Sequence, residues 1–177
     1  GAFRGCASLE RIRIPSTVIE SFAFNQCTSL KRIKISSTVR FIGIHAFLGC
    51  THLMNVELSE GLESIGEWVF NRCTSLENIV IPSTVKVIVK HAFCGCSQLM
   101  NVELSEGLER INDGAFSECT SLACISIPST VYYIQKDAFR NCFNLVAVEF
   151  SEEIVEFVTE LTLRPWWNNG TSKLSLW

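Results

Sequence analysis

Positive charge is in short supply in this chain. Its 177 residues carry 15 Lys and Arg against 18 Asp and Glu, a formal net charge of −3. No Lys/Arg run approaches a polybasic patch, so the composition makes no case for a nucleic-acid partner. Long apolar runs are missing as well. Hydrophobic residues make up 47% of the chain, yet no uninterrupted stretch reaches the ~18–20 residues of a membrane span. Reaction signatures are absent too: there is no Gly-rich phosphate loop and no Gly-x-Ser-x-Gly elbow. No signal peptide is visible. The chain starts at Gly1-Ala2-Phe3, inside a unit of the repeat described next, so its start reads as a fragment boundary.

What the chain does have is a period. Phe-x-x-Cys-x-x-Leu occurs seven times, at Phe3, Phe24, Phe47, Phe70, Phe93, Phe116 and Phe139. The step is 23 residues from Phe24 onward and 21 before it. A fixed period in this range marks a stacked-repeat protein. It directs the functional reading toward an extended binding surface and away from a single reactive cleft.

The copy at Cys73 shows the unit: Cys73, Leu76, Ile79, Ile81, Pro82, Val85, Ile88, Ala92, Phe93. Ile-x-Ile alternates with period two and is β-branched, which predicts a short strand with one face buried. Pro82, or Ser59 in another copy, ends it, since Pro cannot donate to a ladder. Val-x-x-Ile predicts a second extended stretch, and Ala-Phe-x-x-Cys a single helical or 3₁₀ turn. One unit buries too little to offset the entropy of ordering it. Stacking seven layers at about 4.8 Å gives a single body roughly 30–35 Å long. A second level of repetition overlies the first. Met54–Glu63 and Met100–Glu109 are identical and 46 residues apart, so the array is built from a two-unit cassette.

Leu-x-x-Ile-x-Ile-Pro-x-x-Val-x-x-Ile-x-x-x-Ala-Phe-x-x-Cys resembles the BspA-type leucine-rich repeat, over about Gly1 to Phe157. The resemblance implies a right-handed leucine-rich-repeat solenoid of about seven layers, with short parallel strands and short helical or 3₁₀ turns. It also implies a non-enzymatic binding or adhesion role, on a cell surface or secreted, with a cytoplasmic setting left open. Residues 1–157 are expected to form the solenoid. Residues 158–177, where Thr162, Pro165 and Asn168 stand in place of Phe, Cys and Leu, are expected to form a degenerate cap or the start of a tail. Trp166, Trp167 and Trp177 would suit a cap over the last layer, since solenoids need their ends covered; exposed on a longer tail they would be sticky. Asn169-Gly170-Thr171 is a glycosylation acceptor sequence, relevant only to a secreted protein.

Seven of the nine cysteines share one repeat position, which predicts a column of buried thiols rather than a disulfide framework. Cys94 and Cys124 fall outside it and are expected at the surface. His91 with Cys94 and Cys96 lacks a second ligand pair at zinc-type spacing, so no metal is assigned, and no cofactor.

If Ile-x-Ile forms the main sheet, the outward residues line up in two columns. One runs Arg11, Arg32, Asn55, Asn78, Asn101, Cys124, Ala147. The other runs Arg13, Lys34, Glu57, Val80, Glu103, Ser126, Glu149. The face is basic across two layers and neutral to acidic afterwards, a pattern that can steer a complementary partner or can be an ordinary solvated strand face. A further column, Arg40, Glu63, Lys86, Glu109, alternates in sign and predicts a stabilising ladder. Beside it, Phe41, Val87 and Tyr133 put apolar groups on every second layer.

The function predicted is a monomeric, non-catalytic module that presents this face to a protein ligand. The alternative is an intracellular scaffold or spacer without a ligand of its own. Glu57 and Glu103 share a column at roughly 10 Å, near the upper limit for an inverting glycosidase pair. Val80 lies between them, and no other acid or nucleophile accompanies them. A repeated Thr array of the ice-contacting kind is broken by Glu60 and Glu106.

Overall fold

The structure, a computed structural model, describes residues 1–150 other than Arg13, Pro15 and Ser16. Among these residues twelve short strands follow one another in chain order. They are β1 (Val18–Ile19), β2 (Arg32–Lys34), β3 (Phe41–Ile42), β4 (Asn55–Glu57), β5 (Ser64–Ile65), β6 (Asn78–Ile81), β7 (Val87–Ile88), β8 (Asn101–Leu104), β9 (Arg110–Ile111), β10 (Cys124–Ile127), β11 (Tyr133–Ile134) and β12 (Ala147–Phe150). Even-numbered strands are the Ile-x-Ile stretches and odd-numbered ones close the Val-x-x-Ile stretches. Each pairs in parallel with its counterpart 23 residues away, as Arg32 with Asn55 and Phe41 with Ser64. The main sheet runs β2-β4-β6-β8 and continues as β10-β12; the second ladder runs β1-β3-β5 and then β7-β9-β11. The chain is a parallel solenoid.

Alternation sets the inside and the outside. Ile33, Ile35, Ile79, Ile81, Ile125 and Ile127 are buried, while the residues between them are exposed. The interior is one continuous cluster threaded by a phenylalanine column. From Phe3 to Phe139 the rings stack with centroids 5.1–5.5 Å apart and planes within 14°. The cysteine column stands beside it, and its thiols are more than small hydrophobes. From Cys27 to Cys142 each donates to the backbone carbonyl of the Phe one layer back, as Cys50 to Phe24 at 3.1 Å, Cys73 to Phe47 at 3.3 Å and Cys96 to Phe70 at 3.2 Å.

One expectation is refined and one is corrected. Among the described residues, six layers carry a main strand. In the first register Phe3 is 39% exposed, and Leu9–Ile14 forms no strand among its described residues. No helical or 3₁₀ turn forms at Ala-Phe-x-x-Cys either. A 3₁₀ turn directs successive N–H groups to the carbonyl three residues back. Here only alternate ones do so, as Asn25 to Phe22 and Cys27 to Phe24 at 3.2 and 3.1 Å. The N–H groups between them cross to the next layer: Phe22 to Ile44, Phe24 to Ala46 and Gln26 to Leu48, at 3.0, 2.8 and 2.7 Å. The turns stack like strands.

The cassette has a structural reason. Glu60 accepts from the backbone N–H and hydroxyl of Ser83 at 3.2 and 2.9 Å, and Glu106 does the same for Ser129 at 3.2 and 3.0 Å. Thr84 and Thr130 donate to the carbonyls of Leu62 and Leu108 at 2.7 and 2.6 Å. Ser-Glu-Gly-Leu layers thus interlock with the Pro-Ser-Thr-Val layers that follow them. Of the alternating charge column, Arg40 pairs with Glu63; Lys86 forms no ion pair with either glutamate among the described residues.

Candidate binding surface

The main-sheet strands place most of the predicted residues on one exposed face. Arg32, Asn55, Asn78 and Asn101 stand in register across β2, β4, β6 and β8, with Lys34, Glu57, Val80 and Glu103 in the parallel column. Ser126 and Glu149 continue that column on β10 and β12. Arg11 is exposed but outside any strand, and Arg13 lies outside the described residues. Several neighbours are tied to one another: Lys34 to Glu57 at 2.9 Å, the Asn101 amide to the Asn78 oxygen at 2.6 Å, and the Ser126 hydroxyl to Glu149 at 2.9 Å. These contacts hold the side chains in rows, as cross-strand pairs do. Val80, 50% exposed, is an apolar centre in a polar field.

The column also places the two glutamates. Val80 pairs with Glu103, and Glu57 is engaged by Lys34. Cys124 is exposed on this face, as expected, whereas Cys94 is half-buried on the other side of the coil. Burial, and then the nearby Glu118 carboxylate, raises the Cys94 thiol above its ordinary value. Cys96 points into the core, so His91, Cys94 and Cys96 do not converge.

The opposite side holds a feature that sequence reasoning missed. The stacked turns contain two columns of left-handed backbone. One comprises Phe22, His45, Trp68, His91 and Gly114, at φ 53–61°; the other comprises Gly5, Gln26, Gly49, Arg72, Gly95, Glu118 and Asn141, at φ 57–75°. Bulky residues rarely adopt this region. Here the layer-to-layer hydrogen bonds hold them in it. The first column forms a second aromatic stack, with Phe22–His45, His45–Trp68 and Trp68–His91 centroids 4.8, 6.2 and 4.0 Å apart. It ends at buried Gly114, where an added Cβ would lie 2.2 Å from the His91 Nδ1. Beside the stack a cleft of about 790 Å³ opens. The signal was present only as the glycines at 5, 49, 95 and 114, which share no sequence motif with the large residues around them.

The BspA type leucine rich repeat region matches residues 1–89 and 64–161, in six copies. No curated protein matches the chain by sequence. Among solved structures, a leucine rich cell surface protein from Faecalibacterium prausnitzii is similar at 28% identity and a TM-score of 0.68, over 96% of this chain and 52% of that one. A leucine-rich repeat protein from Eubacterium ventriosum is similar at 29% identity and 0.77, over 83% and 40%. The T. pallidum leucine rich repeat protein is 34% identical at 0.52, over 80% and 56%. The chain spans about half the length of these proteins.

Proposed function

The chain belongs to the BspA-type leucine-rich-repeat family, and from that premise we propose that its main-sheet face is the non-catalytic contact surface of a protein-binding or adhesion module. The observation that carries this reading is the division of labour along β2 to β12. Inward positions repeat one apolar pattern, while outward ones vary and grade from Arg32 and Lys34 to Glu103 and Glu149. An exposed row of this kind offers charge complementarity at its ends and an apolar anchor, Val80, near its middle. A cell-surface setting is supported by the likeness to a protein described as a leucine rich cell surface protein.

The test is a cross-linked capture from the lysate and surface fraction of the source cell, comparing the natural chain with Arg32→Glu plus Lys34→Glu. Both positions are exposed, and a thermal melt establishes that the variant folds. A protein held by the natural chain and lost by the variant supports the reading. Equal retention by both moves the contact off this face and overturns it.

A further inference from the structure

The cleft on the turn side is independent of the sheet face. It spans the layers from His45 to Asn141, four steps of about 4.8 Å and hence roughly 19 Å. One wall is the His45–Trp68–His91 stack. The faces of these rings are taken by one another, so the cleft meets ring edges: the apolar edge of Trp68 between two imidazoles whose Nδ1 atoms are buried. Its lining also includes Asn71 and Ser117, 5% and 7% exposed. Arg72, Glu118, Asp137 and Arg140 line it as well. None of these four side chains makes a hydrogen bond or ion pair within the described residues. Two cations and two anions therefore face the cleft without neutralising each other, beside a third carboxylate, Asp113, whose charge is met by Lys90 at 3.8 Å.

Each class of occupant meets this lining differently. An apolar ligand would strip water from these four charged groups and leave them unsatisfied. A polyanion would face three carboxylates, and a polycation two guanidinium groups. A peptide strand would need an open backbone edge to pair with. Here the turn N–H groups are spent between layers: Phe70 to Ala92, Arg72 to Cys94, Gly95 to Ser117 and Glu118 to Arg140. A neutral polyol satisfies all the groups at once. Its vicinal hydroxyls donate to a carboxylate and accept from a guanidinium fork, both charge-assisted, while its C–H surface lies along the aromatic edge.

We propose that this cleft is a binding site for a short neutral oligosaccharide. Arg72 and Glu118 are its central polar contacts and Trp68 its apolar wall. The site is non-catalytic and acts alongside the sheet face.

The test is isothermal titration of the full chain with cellopentaose, maltopentaose and laminaripentaose, with polygalacturonate and dextran sulfate as charged controls. Binding of at least one neutral pentasaccharide is expected. It should weaken by at least about tenfold in Arg72→Gln plus Glu118→Gln, the loss of two charge-assisted contacts. It should be unchanged in Arg32→Glu plus Lys34→Glu, so the two sites fail separately. Both substituted cleft residues are exposed, and a thermal melt at the natural temperature establishes folding. The proposal is overturned by no heat from any neutral pentasaccharide at millimolar concentration, by full retention in the cleft variant, or by preference for a charged polymer.

Discussion

The two sides of the coil solve the same problem with different backbones. On the sheet side, extended residues alternate in and out, and the outward side chains contact one another across layers. On the turn side, alternate N–H groups serve the turn and the next layer, and left-handed residues recur twice per unit. The sheet side is thus a regular surface whose residues are free to vary. On the turn side each substitution meets a backbone constraint first. A solenoid can vary its sheet face at little cost in stability, whereas the turn side's left-handed positions favour glycine and strain larger residues.

The largest effect should come from the core that both sides share. Phe93→Ala removes a fully buried ring from the middle of the stack and should cost about 3–5 kcal/mol in urea unfolding. A cost near zero would break the register on which the comparison rests. The cysteine column predicts a pH effect next. Burial raises the Cys50 and Cys142 thiols from near 9 to about 12. The folded value lies above the unfolded one, so this contribution is complete below about pH 9 and is lost as the pH climbs toward 12. The urea midpoint should fall over that window, and fall less steeply in Cys50→Ala plus Cys142→Ala.

Backbone tightness distinguishes the sides more finely. An added Cβ at Gly66 would lie 2.4 Å from the Ile44 nitrogen, so Gly66→Ala should cost about 1–3 kcal/mol. Val80→Ala on the sheet face should stay within about 0.5 kcal/mol. Gln26 is exposed and left-handed, at φ 58°. Gln26→Gly should therefore raise stability by about 0.5–1 kcal/mol, relief of strain exceeding the added flexibility of the unfolded chain. The smallest effect belongs to Lys34→Ala. Its ion pair with Glu57 joins side chains 74% and 57% exposed, and the loss should be at most about 0.5 kcal/mol in a thermal melt.

Legibility in the sequence divides along the same line. The period, the buried cysteines and the Ile-x-Ile strands could be read because each rests on apolar spacing that burial alone enforces. The outward columns followed, since a strand has only two faces. The turn side could not be read in this way. Phe-x-x-Cys has the spacing of one helical face, and spacing says nothing about which N–H groups cross to the next layer. His45, Trp68 and His91 carry no signal for left-handed backbone, because the neighbouring layers impose it. The interlock of Glu60 with Ser83 likewise appeared only as a broken Thr column.

The most direct test of the account is a hydroxyl-radical footprint of the chain while it holds the protein recovered by capture. The account predicts protection of the strip from Arg32 to Glu103 on the main sheet, with Trp68 and His91 in the cleft modified as in the free chain. Protection confined to the cleft, with the sheet strip fully reactive, would contradict it.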